Sequence, residues 1–210
     1  MVIATALGVV VGVLAGWGAR LLLARLRRGV VLRPPLPEVA TAVVTGAGVM
    51  LSWPAPTVGL LLWTGWLAVT LSAVDIAAHR LPDALTLPAI PITAVLVLVT
   101  WLVAQESGRP LTGLVAAALV TGLFWGLAAL APRAMGRGDV KLVPSLALMT
   151  GYLSVPAVLW WLMIAFGLGA AVALAGLATR RLALGSAIPF GPCLLAGCWV
   201  VLAFPGLTSL

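Results

Sequence analysis

Long runs of apolar residues, separated by short polar stretches, constrain this chain more than any other feature of its sequence. Runs such as 2–23, 58–74, 111–131 and 155–178 approach the roughly 20 residues that an α-helix needs to cross a bilayer. Only 8% of the residues are charged, against about 25% in an ordinary soluble domain. The runs do not alternate with a period of two, which argues against a β-barrel. The sequence therefore predicts an all-α, polytopic integral membrane protein, a bundle of about eight transmembrane helices.

The positive charges indicate how these spans are oriented. The predicted spans cover about 2–23, 39–53, 58–74, 85–104, 111–131, 142–153 and 155–178, with a last span that ends near 204. If the linker after the first span is cytoplasmic, eleven of the twelve Lys and Arg residues face the cytoplasm, and only Arg109 lies outside. This pattern predicts that both termini lie outside. Because it also explains the net charge of +7, we expect a lipid bilayer and no nucleic acid as partner.

Two of the five acidic residues lie at the boundaries of predicted spans. These are Asp75 and Asp139, whereas Glu38 and Glu106 lie in loops, where we expect them to be solvated. Two spans separate Asp75 from Asp139, so both return to the same face of the membrane whichever way the chain is oriented. An ionisable residue at such a place is costly and is therefore a functional candidate. We expect the two carboxylates to meet at the cytoplasmic edge of the bilayer.

The residues around Asp139 favour close approach of a second backbone. Gly136 and Gly138 remove side-chain bulk beside the acid and permit unusual backbone angles. Two close carboxylates at low dielectric cannot both be ionised, so the pair holds one proton. The ionised member can take a proton from a water that attacks a peptide carbonyl, and the protonated member can polarise that carbonyl and protonate the leaving amine.

The residues that other protease chemistries require are not arranged for them in this sequence. Cys193 and Cys198 both lie in the last span, and the single histidine, His79, lies in a loop. The sequence contains neither the Gly-x-Ser-x-Gly turn of serine hydrolases nor the His-Glu-x-x-His of metalloproteases. We expect no metal and no cofactor.

Three blocks of sequence carry a resemblance to a known family. They read D-I-A-A-H-R-L-P-D at 75–83, G-R-G-D-V-K-L at 136–142 and I-P-F-G at 188–191. In this order, within apolar spans, they resemble the type IV prepilin peptidases, which are aspartic leader peptidases of the inner membrane. The Gly-x-Gly-Asp block is also similar to that of presenilin-type intramembrane proteases. The resemblance covers about 58–204 and implies a bundle of transmembrane helices with a cytoplasm-facing site and Asp75 and Asp139 as the catalytic pair.

The resemblance also implies the substrates and the organisation of the chain. It implies cleavage of the leader peptide of prepilin-like membrane proteins. We assign 1–210 to a single transmembrane peptidase domain, in which 1–38 form the first span and a basic cytoplasmic linker and 39–210 form the catalytic helix bundle.

Further residues are expected to shape the site or to hold substrate. Those expected to shape it are Gly136, Gly138, Pro189, Phe190 and Gly191. Asp83 is another candidate, because it stands where the family often has Asn. Arg80 and Lys141 either hold substrate or tune the carboxylates, or they only anchor the helices on the positive side.

This chain departs from the long members of the family in one respect, and two alternative functions stay open. Long members of the family carry a cysteine-bearing cytoplasmic domain after the first span and methylate the new N-terminus. This chain has only the basic linker there and resembles the short members, including those that serve Flp or Tad-type pili, so we expect no methyl transfer. One alternative is a small transporter or channel that uses Asp75 and Asp139 as proton or cation sites. The other is a catalytically silent assembly factor of a pilus or secretion system.

Overall fold

The chain is an all-α, polytopic membrane protein. The computed structural model describes residues 1–26, 32–78, 81–104, 108–130, 136–181 and 188–208. Over these residues it contains eight α-helices, one 3₁₀ helix and no strand. The helices are α1 (Val2–Arg25), α2 (Leu36–Ser52), α3 (Val58–Ala78), α4 (Asp83–Val103), α5 (Pro110–Leu130), α6 (Arg137–Leu153), α7 (Val155–Ala178) and α8 (Gly191–Ala203), with the 3₁₀ helix at Pro205–Thr208. Each predicted span corresponds to one α-helix, and the predicted fold class is confirmed.

The helices differ in whether they can cross a membrane. Within the described ranges, five are long and apolar enough, namely α1, α3, α4, α5 and α7. Helices α2 and α8 are apolar but have only 17 and 13 residues. At 1.5 Å per residue α8 is about 20 Å long, shorter than the hydrocarbon core of roughly 30 Å. Helix α6 also has 17 residues, and its first two turns carry Arg137, Asp139 and Lys141.

Helix α6 lies at the centre of the bundle, in contact with α4, α5, α7 and α8. Its buried side chains cover most of its surface, and Leu142, Leu146 and Met149 are fully buried. A helix that is buried on nearly all sides belongs to a core rather than to a lipid-facing surface. At its C-terminal end, the hydroxyl of Ser154 accepts a hydrogen bond of 3.1 Å from the backbone N–H of Ala157 and so caps α7.

Helix α1 packs mainly on α2 through a face that carries Gly8, Gly12 and Gly16. A β-carbon placed on Gly12 in ideal geometry would lie 2.6 Å from Cα of Ala42. One placed on Gly16 would lie 2.6 Å from the carbonyl oxygen of Pro37. Small residues permit such contact between helices in a membrane, where close packing replaces the hydrophobic driving force. The two helices thus form a tight hairpin.

The expectation that Glu38 is a solvated loop residue is wrong. Helix α2 already begins at Leu36, so Glu38 lies in its first turn. Its Oε1 lies 2.7 Å from Nε of Arg20, and its side chain is only 12% exposed. The close contact at Gly16 brings α1 near enough for Arg20 to reach it. Glu106, for which solvation was also predicted, lies outside the described residues.

Candidate active site

Asp75 and Asp139 are buried at neighbouring helix ends. Asp75 lies in the last turn of α3, with a relative exposure of 5%, and Asp139 lies in the first turn of α6, at 7%. We expected the third span to end at Asp75 and the sixth to begin after Asp139, at about Leu142. Instead, α3 continues to Ala78 and α6 begins before Asp139. An acidic residue in the first turn is favoured by the helix dipole, so Asp139 does not delay the start of α6.

The backbone of Gly191, the first residue of α8, faces both carboxylates. A β-carbon placed on Gly191 would lie 3.0 Å from Oδ2 of Asp75 and 3.4 Å from Oδ1 of Asp139. Because this one position lies within 3.4 Å of both carboxylates, the two carboxylates lie close together beside Gly191. The structure brings the two acids to one end of the bundle, as the parity of the intervening spans predicts.

Gly136 and Gly138 create space for the same site, but without unusual backbone angles. Gly136 precedes α6 with φ −69° and ψ 133°, and Gly138 is part of the helix, so neither residue uses the unusual backbone angles that glycine permits. Their missing side chains matter instead. A β-carbon on Gly136 would lie 2.9 Å from Oδ2 of Asp139, and one on Gly138 would lie 2.7 Å from Cβ of Leu81. Both contacts are closer than a side chain tolerates without a shift of its neighbours.

Leu81 is a residue of the site that the sequence analysis missed. It is 8% exposed, packs on Gly138, and has its Cδ1 at 3.4 Å from the β-carbon position of Gly191. It therefore closes the apolar side of the space next to the carboxylates. Its only signal in the sequence was its place in the Leu-Pro-Asp block, because an apolar side chain carries no chemistry of its own. Cys193, two residues after Gly191 in α8, is also buried.

Asp83 and Lys141 form an ion pair between two of the sequence blocks. Nζ of Lys141 lies 2.6 Å from Oδ1 of Asp83, with side chains 37% and 60% exposed. Asp83 is the first residue of α4, and Lys141 follows Asp139 by two residues in α6. The charge of Lys141 is therefore directed to Asp83, at the rim of the site. Arg80, for which the same roles were considered, lies outside the described residues.

Phe190 packs on α7 and anchors the start of α8. Its ring centroid lies 5.2 Å from that of Phe166 on α7. Its ring also fills the space above Gly169, where a β-carbon would come within 3.0 Å of Cε2. This contact fixes the backbone just before Gly191, while Pro189 is partly buried beside it. In the third block, it is at Gly191 that a side chain would meet both carboxylates.

The fold and the site define a class of protein. Two buried carboxylates, at the ends of helices in an apolar bundle, form a site that can move a proton to and from a water molecule. Among the described residues, no group of three His, Cys, Asp or Glu side chains could hold a metal ion. The chain is therefore a multi-pass membrane protein whose candidate site is a pair of aspartates.

Comparison with known proteins identifies the family. Residues 61–203 match the type IV leader peptidase family, Peptidase_A24, and the chain belongs to this family. The match includes all three sequence blocks and favours a peptidase over a transporter or channel. No solved structure matches the chain.

Two curated relatives share the name prepilin leader peptidase/N-methyltransferase. A prepilin leader peptidase/N-methyltransferase of Aeromonas hydrophila is 32% identical over 173 residues, which are 81% of this chain and 58% of that protein. One of Neisseria gonorrhoeae is 31% identical over 176 residues, which are 81% of this chain and 57% of that protein. The matched region thus covers less than two thirds of the length of these relatives.

Proposed function

We propose that this chain is an aspartic endopeptidase that removes the leader peptide from type IV prepilin-like membrane proteins, including those of the Flp or Tad type. Membership of the leader peptidase family supports the reaction class, and the names of the relatives support the substrate class. The observation that carries the proposal is that both buried carboxylates, of Asp75 and of Asp139, come within 3.4 Å of the position that a β-carbon would take at Gly191.

The proposed mechanism uses the two aspartates as one acid–base unit. Close carboxylates at low dielectric hold one proton between them. The ionised member removes a proton from water, which attacks the scissile carbonyl, and the protonated member donates its proton to the carbonyl oxygen. The tetrahedral intermediate then collapses, and the leaving amine receives a proton from the pair. The reaction needs no covalent enzyme intermediate and no cofactor.

The glycines and Leu81 have a proposed role in substrate approach. An extended peptide reaches the carboxylates only where side chains leave room, and Gly136, Gly138 and Gly191 all lie at close contacts of the site. Leu81 excludes water on the apolar side. The pair of Asp83 and Lys141 holds the start of α4 to the first turns of α6.

The proposed topology follows from the charges. We propose that all eight helices cross the inner membrane, that the aspartates face the cytoplasm and that both termini lie outside. The short α2, α6 and α8 would cross where the bilayer is locally thinner, which involves only a modest energy for each ångström of mismatch. The first span and the basic linker then end before Leu36, where α2 begins, rather than at residue 38 as predicted, and α2 to α8 contribute the catalytic bundle of one peptidase domain.

A cleavage assay tests the proposal directly. The purified chain is incubated with a prepilin-type peptide that has a short hydrophilic leader, a Gly before the scissile bond and an apolar segment after it. The products are identified by mass spectrometry. We expect a single cut after the Gly and loss of cleavage when a Leu replaces that Gly, because the backbone must come close to the carboxylates. Intact peptide after prolonged incubation in detergent and in lipid would refute the proposed activity.

A further inference from the structure

An apolar groove lies between the start of α2 and the C-terminal half of α3, the helix that carries Asp75. Its volume is about 450 Å³, and α2 contributes Leu36 and Ala40 to its wall. Helix α3 contributes, among others, Ser72, Ala73 and Ile76. Since α2 and α3 are antiparallel neighbours, Leu36 and Ile76 lie at the same end of the groove. That end is the one nearest to the carboxylates.

The groove and the candidate site share helix α3. Ala68 and Ser72, which line it, precede Asp75 by seven and three residues and so lie on the side of the helix that carries the acid, whereas Val69, Ala73 and Ile76 line the groove farther around the helix. Ile76 follows Asp75 directly. From Ala68 to Ile76 the groove extends along α3 for about 12 Å at 1.5 Å per residue. The groove therefore reaches the level of Asp75 on α3, on a face that adjoins the face that carries the acid.

The chemistry of the wall fits an apolar helix. The lining side chains are apolar apart from the hydroxyl of Ser72 and the guanidinium of Arg33, and Arg33 lies at the end near the site. Ala40, Ala68, Ser72 and Ala73 are small, and small residues let membrane helices approach closely. Arg33 is exposed and would attract an acidic side chain at the polar end of such a helix.

We propose that this groove receives the apolar segment that follows the scissile bond of a membrane-anchored substrate. The proposal rests on the proposed function and adds to it the surface that binds the substrate outside the catalytic pair. Binding energy from this remote part of the substrate holds the scissile bond beside the carboxylates. Contacts in the groove should therefore lower the KM for substrates that carry the apolar segment and have no effect on the KM for short peptides that lack it.

The test compares two substrates and two matched variants. One substrate is a full-length membrane-anchored prepilin-type protein, and the other is a soluble peptide that ends a few residues after the cleavage site. Ala40→Phe fills the groove, and Ala118→Phe places the same side chain at another exposed alanine, on α5. We expect Ala40→Phe to raise the KM for the anchored substrate about tenfold. This change corresponds to the loss of about 1.4 kcal/mol of binding free energy, which a modest loss of contacts would cause. We expect its kinetics with the soluble peptide to stay within a factor of two of those of the unmodified chain. We expect Ala118→Phe to leave the kinetics with both substrates unchanged.

A photo-crosslinker in the apolar segment of the anchored substrate gives a readout that needs no variant of the enzyme. We expect crosslinks to 36–40 of α2 and to 68–76 of α3, mapped by mass spectrometry. Crosslinks confined to α5 or α7 would overturn the proposal. So would equal losses with both substrates, or unchanged kinetics of Ala40→Phe. A phospholipid that copurifies with the unmodified chain and is lost from Ala40→Phe, with no change in KM, would assign the groove to lipid and overturn the proposal.

The two proposals fail in different ways. If the unmodified chain cleaves neither substrate, the proposed peptidase activity is wrong, and the groove loses its assigned occupant with it. If the unmodified chain cleaves both substrates and Ala40→Phe behaves like Ala118→Phe, only the docking proposal is refuted.

Discussion

Replacing Gly191 with alanine adds one methyl group at the point where the two carboxylates meet the start of α8. That carbon would lie 3.0 Å from Oδ2 of Asp75 and 3.4 Å from Oδ1 of Asp139. Optimal contacts between non-bonded heavy atoms lie at about 3.5–4.0 Å, so at least one carboxylate must move by a few tenths of an ångström. The substitution removes no ionisable group, and its effect therefore reports the geometry of the pair alone.

The expected loss follows from that displacement. Misplacement of reacting groups by about 1 Å can lower a rate by roughly 10²-fold, so we expect Gly191→Ala to lower kcat by about 10- to 100-fold. This corresponds to about 1.4 to 2.7 kcal/mol of transition-state stabilisation. We expect little change in KM, because the altered contact lies at the carboxylates rather than along the substrate.

Gly197→Ala is the matched control in the same helix. A β-carbon there would lie 3.0 Å from the carbonyl oxygen of Trp161 and 3.1 Å from the backbone nitrogen of Ala165. It therefore crowds the contact between α7 and α8 to a similar degree, but two turns away from the carboxylates. We expect a lower melting temperature with kcat within about threefold of the unmodified chain, since the packing loss of about 1–3 kcal/mol affects folding rather than chemistry. Full activity of Gly191→Ala, or equal inactivation by Gly197→Ala, would refute this reasoning.

Three further predictions concern the catalytic pair, the topology and the product. Asp75→Asn and Asp139→Asn should each lower the cleavage rate by at least about 10³-fold, and the double variant should be no worse, because the pair acts as a unit. Asp83→Asn, which breaks only an exposed ion pair, should lose far less, and robust cleavage by either Asn variant of the pair would contradict the assignment. Single cysteines placed at Ser107 and Ser209 should react with an impermeant thiol reagent from outside the cell, whereas labelling only from the cytoplasm would contradict the topology. The product made in the presence of S-adenosylmethionine should be cut but unmethylated, and mass spectrometry would reveal an added methyl group as evidence against this.

The positions of the helices and the meeting of the acids could be predicted because they depend on simple properties of the sequence. Apolar run lengths located every helix, and an even number of spans between Asp75 and Asp139 placed both at one face. Helix ends were less predictable. Asp139 was placed before its helix because a charge interrupts an apolar run, although an acid is well suited to the first turn of a helix.

Contacts between distant parts of the chain could not be predicted in this way. Nothing in the sequence shows that Gly191 faces both carboxylates, because glycine has no side chain whose chemistry indicates a role. The pairing of Arg20 with Glu38 depends on the close approach of α1 and α2 at Gly16. Leu81 belongs to the site only through its packing on Gly138. These relations arise from helix packing, on which the periodicity of a single helix carries no information.

The division of the aspartates between α3 and α6 has a consequence for how the protein is made. Asp75 is synthesised and inserted before α4, α5 and α6 exist, and at that stage the chain carries only one of the two carboxylates. Under the proposed function, peptide hydrolysis begins only after α6 has docked at the centre of the bundle and α8 has brought Gly191 to the pair. A nascent or misassembled copy is then inert towards its neighbours in the membrane. Activity is thereby tied to completed biogenesis.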